Sequence, residues 1–156
     1  MKIRRANQKD LKVLNDLQIK LAKYERKICK TLKNPELLRK KYNEYYKKKI
    51  KQKNCVFWVA EENKKIVGYV FGEIETPKHL HIYKKRGYIH DAFVLEEYRK
   101  IGIGEKLIQK LIQWFKLNGI KWIRVSAYTN NKSAIKFWKK MGFKDYVIDM
   151  TKIEKF

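Results

Sequence analysis

The sequence predicts an α+β fold: a mixed, largely antiparallel sheet flanked by helices, in the order β-α-α-β-β-β-α-β-α-β. Three observations carry this. Leu11, Leu14, Leu17 and Leu21, and later Leu107, Ile108, Leu111, Ile112 and Phe115, recur at helical spacing. Runs of β-branched and aromatic residues at 56–60 and 66–75 flank a short polar turn, as the arms of a hairpin do. A strand-helix-strand order from Tyr88 to Thr129 supplies one parallel pair. With 156 residues the chain fits one domain, 1–156. At 44% hydrophobic and 13% aromatic it can bury a core, which excludes a wholly disordered chain.

The elements follow in order. Lys2 to Ala6 reads as a short strand, and Asp10 as the N-cap of the leucine-striped helix. Asn34 and Pro35 punctuate a second helix, as cap and first helical residue. Its apolar side carries Leu38, Tyr42, Tyr45, Tyr46 and Ile50, while Lys40, Lys41, Lys47, Lys48, Lys51 and Lys53 turn outward. The hairpin comes next, with its turn at 61–65. A polar loop from Thr76 to Gly87 holds His79 and His81, and Tyr88 to Leu95 forms the next strand. Gly119 ends the helix that follows, from the C′ position. Trp122–Thr129 is a strand, Ser133–Met141 a helix stopped by Gly142, and Phe143–Thr151 a final strand.

Charge is the outstanding compositional feature. The formal net charge is +23, with 39 Lys and Arg against 16 Asp and Glu. Only seven of the cations are arginines, whereas specific phosphate and base recognition favours the bidentate arginine fork. The lysine runs therefore read as solvated helix faces; a nucleic-acid partner is the less favoured reading. No apolar run approaches the ~20 residues that span a bilayer. The basic start, Met1 to Arg5, leads into polar residues rather than a signal core. Cys29 and Cys55 make no Cys-x-x-Cys pair, which suits a reduced, cytoplasmic protein, monomer or homodimer.

Chemistry concentrates between the strand ending at Leu95 and the helix beginning near Ile103. There the sequence runs Val94-Leu95-Glu96-Glu97-Tyr98-Arg99-Lys100-Ile101-Gly102-Ile103-Gly104. Glycines on alternate residues at a strand-to-helix junction let the backbone turn tightly and approach a ligand. Free N–H groups of the first helical turn, with the helix dipole behind them, bind phosphate, and Arg99 and Lys100 add charge beside it.

This run, Val94-x-x-x-Tyr98-Arg99-x-x-Gly102-x-Gly104, resembles the acetyl-CoA-binding signature of the GNAT superfamily of N-acetyltransferases. The stretch Asn131-x-x-Ala134-x-x-Phe137-Trp138-x-x-x-Gly142-Phe143 is similar to that family's later motif. The opening Ile3-Arg4-x-Ala6-x-x-x-Asp10-Leu11 and the hairpin Phe57–Ala60 with Ile66–Tyr69 match in the same order. The resemblance implies acetyl transfer from acetyl-CoA, as co-substrate, to a primary amine, either a small amine or a protein amino group. It places Lys100, Ile101, Gly102, Ile103, Gly104 and Glu105 around the pyrophosphate. The backbone of Ala92, Phe93, Val94 and Leu95 would pair with the pantetheine amides. Asn131 would lie near the pantetheine arm, with Ser133, Phe137 and Trp138 on the cofactor's far side.

One departure is informative. The family commonly has a tyrosine where this chain has Trp138, and an indole N–H is no practical acid for a leaving thiolate. Either another group donates, with Tyr128 and Tyr146 as candidates, or the thiolate leaves with only hydrogen-bond and solvent help; Trp138 itself reads as a packing residue beside the cofactor. For the base, strand parity puts Glu73 and Glu75 on one face, and Tyr88 and His90 on one face of the next strand. By resemblance, His90 and Asp91 occupy the spot where relatives similar to the polyamine acetyltransferases carry an acidic pair, so His90 is the first choice, and an imidazole exchanges protons near neutral pH. Glu73 comes next, and Glu75 and Asp91 complete an anionic pocket for a substrate ammonium. His79, His81 and His90 lack metal-site spacing, so no metal is expected. The alternative function is a basic polyanion-binding module that keeps acetyl-CoA as a structural or sensing ligand.

Overall fold

In the computed structural model, which describes residues 1–154, Asn7 opens the first helical segment and Asp10 supports it. The Asn7 side chain accepts from Lys9 N at 2.9 Å, and Asp10 accepts from Asn7 N at 2.8 Å. Asp10 thus closes a capping box rather than acting alone. It also binds Arg4 in a two-pronged pair at 2.8 and 2.9 Å, which ties strand β1 (Lys2–Arg5) to helix α1 (Leu11–Ile28). Asn34 caps a 3-10 turn at Pro35–Leu38, so helix α2 (Arg39–Lys49) begins one turn later than its punctuation suggests.

Strands β2 (Cys55–Glu62) and β3 (Lys65–Glu75) form the expected hairpin. Asn63 and Lys64 both take positive φ, 48° and 62°, which matches the right-handed twist of the two arms. Strands β4 (Arg86–Val94) and β5 (Ile123–Val125) complete a sheet of order β1-β2-β3-β4-β5. All pairs are antiparallel except β4 with β5, the parallel pair that the crossover helix α3 (Ile103–Leu117) makes possible. Helices α1 and α2 cover one sheet face and α3 the other. The inner stripe of α3, Leu107, Ile108, Leu111 and Phe115, is fully buried. It sits so close that a Cβ on Gly72 would meet Leu111 Cδ1 at 2.4 Å, so any larger residue there would force the Leu111 side chain to shift.

The described residues form two compact units, Met1–Ser126 and the residues from Ala127 on. Within the second, helix α4 (Lys132–Lys140) is where the sequence predicts it. The final strand expected over Phe143–Thr151 is absent: these residues carry no ladder and no helix. Val147, Ile148 and Met150 stand exposed, at 61, 79 and 92%. A β-branched run favours a strand only where a neighbour supplies hydrogen bonds and a face to pack on. The strand expected over Trp122–Thr129 is likewise cut to three residues. No helix among the described residues is long and apolar enough to cross a membrane.

Candidate active site

Among the described residues the parallel ladder between β4 and β5 covers only Gly87, Tyr88 and Ile89. From His90 to Val94 the strand continues past that ladder into the glycine turn. Gly102 takes φ 83° and Lys100 φ 65°, which folds the chain sharply back into α3. The first α3 hydrogen bond is Lys106 N to Gly102 O at 3.1 Å, so the amides of the turn before it have no acceptor inside the helix. A Cβ on Gly102 would meet nothing within 4 Å, which means the turn faces open space. Gly104 adopts ordinary helical φ, so its glycine is not required by the backbone. Arg99 donates from Nε to Val94 O at 2.8 Å and lies over the Phe93 ring, bracing the end of β4.

A β-bulge decides which side chains meet. Phe71 pairs with Asp91 but Gly72 with Ile89, leaving His90 as the extra residue on β4. His90 and Asp91, neighbours that ordinary parity would send to opposite faces, therefore both face α2. His90 stacks on Phe71, 4.7 Å between ring centres and 17° from parallel, and leans on Tyr88 at 4.9 Å. Its Nε2 lies 3.1 Å from Glu73 Oε2 and 3.6 Å from Glu75 Oε1. Both carboxylates already hold cations. Lys49 grips Glu73 at 2.7 and 2.8 Å, and Arg86 pairs with Glu75 at 3.0 Å. The ligand atoms of Glu73, Glu75 and His90 lie within 4.8 Å of one another, but the ammonium of Lys49 stands where a metal ion would bind Glu73.

Asp91 joins a different network. Its Oδ2 accepts from the Tyr46 hydroxyl at 2.6 Å; Tyr46 and Tyr69 hydroxyls meet at 2.9 Å, and Tyr69 donates to Gln18 Oε1 at 2.7 Å. Burial raises the Asp91 carboxyl despite the Tyr46 hydrogen bond and the nearby His90. Burial, with the charge of Asp91, pushes Glu25 on α1 up to about 7. That has a stability consequence. Below about 4.5 the Glu25 carboxyl is protonated folded or unfolded, and nothing is lost. As pH rises towards 7 the unfolded chain releases its proton while the folded one retains it, so stability falls. Glu25→Gln removes the penalty and should stabilise the protein by about 1–2 kcal/mol at alkaline pH, after allowance for its partial exposure, and by nothing in acid. Urea unfolding at both pH values reads this; a gain independent of pH would refute it. Cys55, buried and beside Glu73, is pushed up to about 12 and is inert as a nucleophile at neutral pH.

In the second unit, Asn131 caps α4. Its side chain accepts from Ala134 N at 3.2 Å and from the Ser133 hydroxyl at 3.1 Å. Trp138 packs edge-on against Phe137 and Phe143, at 5.1 and 5.4 Å between ring centres. Tyr128 is 39% exposed. Elsewhere, a cavity of about 660 Å³ between α1 and the β2–β3 turn contains none of His90, Glu73 or Asp91. Two of its polar walls, Arg4 and Asp10, already satisfy each other.

Residues 22–143 match the model of the acetyltransferase (GNAT) family. The chain belongs to that family. The GNAT domain is 31% identical over 106 residues to an N-alpha-acetyltransferase of Sulfurisphaera tokodaii, a stretch covering 65% of this chain and 64% of that one. It thus spans less than two thirds of that relative's length. In structure it resembles a mutant protein of Bacillus halodurans, with TM-score 0.86 and 20% identity, covering 99 and 100% of the two chains. It also resembles a predicted acetyltransferase of Clostridium acetobutylicum solved with acetyl-CoA, with TM-score 0.74, 21% identity and coverage of 96 and 95%.

In this GNAT domain the structure brings together Glu73, Glu75 and His90, which the sequence nominated, and adds groups it did not. Lys49 lies three residues after Tyr46 and four after Tyr45, so a helical wheel would have shown one lysine on the inner face. Gln18 interrupts the leucine stripe of α1, and Glu25 lies two turns further along the same face. A polar residue inside an apolar stripe was the available signal.

Proposed function

We propose that this chain moves the acetyl group of acetyl-CoA to a primary amine by direct attack in a ternary complex. The observation that supports it best is the continuity of β4. One strand carries His90, then a stretch past the end of the β5 ladder, then a left-handed glycine turn at a helix start, a geometry suited to a diphosphate. In this reading Lys100 to Glu105 hold the pyrophosphate and Ala92 to Leu95 align the thioester. His90 takes the proton from the incoming amine, whose nitrogen attacks the carbonyl carbon as the thiolate leaves. Glu73 orients His90, since both its oxygens are engaged by Lys49. Polypeptide α-amino groups are the first acceptor class to test, because the Sulfurisphaera relative is named for them. The polyanion-binding alternative has no comparable observation behind it.

The test is thiol release from acetyl-CoA over a panel of peptides with free N-termini, amino sugars and small diamines, with N-blocked peptides as controls. Turnover confined to free amines is expected. Acetyl-CoA binding by calorimetry with no thiol release for any amine would overturn the reading.

Trp138 bears on how the thiolate leaves. Its ring packs on Phe137 and Phe143 within its own unit. Trp138→Phe should therefore keep most activity, and Trp138→Tyr should hold it or raise it by restoring an ionisable hydroxyl. A loss of more than about tenfold in the Phe variant would assign the indole N–H a chemical role.

A further inference from the structure

We propose that Lys49 is a positioning residue, which fixes the tautomer and orientation of His90 through Glu73. The geometry is a relay of three side chains from three elements. The Lys49 ammonium, on α2, reaches both oxygens of Glu73 on β3, at 2.7 and 2.8 Å. Asn54 adds a third, longer bond to the same carboxylate at 3.3 Å. Glu73 Oε2 faces His90 Nε2 on β4 at 3.1 Å. All three side chains are largely shielded, at 16% exposure for Lys49, 12% for Glu73 and 25% for His90.

The chemistry of each group dictates the rest. A carboxylate only accepts hydrogen bonds, so the His90 nitrogen facing it carries the proton. Glu75 Oε1, 3.6 Å from the same nitrogen, favours the same tautomer. Nδ1 then keeps its lone pair and is the only ring atom able to take a proton from an amine. The stack on Phe71 and the contact with Tyr88 hold the plane of the ring. The Lys49 ammonium balances the Glu73 carboxylate and holds it in place as the hydrogen-bond acceptor that faces His90 Nε2. One lysine among 32 is thereby distinguished from the solvated ones by what it holds.

This inference rests on the reading of His90 as the base, and its test separates the two. The charged and titratable groups around His90 are Glu73 and Glu75 on β3, Lys49 and Tyr45 on α2, Tyr88 and Asp91 on β4, and Arg86 behind Glu75. The experiment is a pH titration of the ¹⁵N-histidine-labelled protein by long-range ¹H–¹⁵N NMR, with His90 identified by loss of its signals in His90→Gln. The wild type should show Nε2–H and an unprotonated Nδ1. In Lys49→Met the midpoint of His90 protonation should rise by about one pH unit, while in Glu73→Gln it should fall. Lys49→Arg should restore the wild-type signature. A purely structural lysine would leave the His90 midpoint where it is in Lys49→Met. An Nδ1–H tautomer in the wild type, or an unmoved His90 in Lys49→Met, overturns the proposal; if that variant does not fold, Lys49→Arg and Glu73→Gln decide it by the same criteria. These readouts do not depend on turnover. A relay seen by NMR in a protein that releases no thiol would instead refute the acetyl-transfer reading.

Discussion

Gly102→Val is expected to weaken acetyl-CoA binding at least ~100-fold, a loss of about 2.7 kcal/mol. Two effects act together. Valine is strongly disfavoured at the φ of 83° that Gly102 adopts, so the turn into α3 opens and its amides lose their convergence. Its branch would also project into the open space in front of that turn, where the backbone must come close to a phosphate. Gly104→Val separates these effects. Position 104 is already helical and valine is no worse a helix former than glycine, so any large loss of binding comes from blocked approach. Arg99→Ala should cost about 1–2 kcal/mol, the scale of a charge-assisted contact. Part of that would come from releasing the Val94 carbonyl that Arg99 braces. Isothermal calorimetry reads all three, with circular dichroism to check the fold. Wild-type affinity in all three variants would mean that the cradle has been assigned to the wrong turn.

His90→Ala should lower kcat/KM by roughly 10²-fold, the usual scale for a lost general base. The pH profile is the more specific readout. With an imidazole base, activity rises with pH as His90 loses its proton, and His90→Ala should flatten that acidic limb. Glu73→Gln should instead move the limb to lower pH, because the carboxylate that favours the imidazolium is gone. An alanine variant with an unchanged rate and an unchanged acidic limb would remove His90 from the mechanism. Glu73 is poorly placed to succeed it, since Lys49 holds both its oxygens. Asp91, whose burial raises its affinity for a proton, would then be the group to test.

The sequence by itself determined the order of elements, the hairpin, the parallel crossover and the turn at Gly102, because each depends on local chemistry. Leucines at helical spacing, a polar break between β-branched runs, and glycines at a strand-to-helix junction act within a few residues of themselves. Strand parity put Glu73 with Glu75 on one face of their strand and Tyr88 with His90 on one face of theirs, but the register that brings the two pairs together comes from the β3–β4 ladder. Only the tertiary structure decided what lies beyond the reach of periodicity. The bulge at His90 turned Asp91 onto the same sheet face, and no residue type announces a bulge. A helical wheel puts Lys49 on the inner face of α2, but only the packing of α2 on β3 carries its ammonium to Glu73. Asp91 reads as part of one acidic pocket with Glu73 and Glu75, yet it bonds to Tyr46 while the glutamates pair with Lys49 and Arg86. The last predicted strand failed for the same reason. Its β-forming residues state a preference, but a strand exists only when another backbone lies alongside to share its hydrogen bonds.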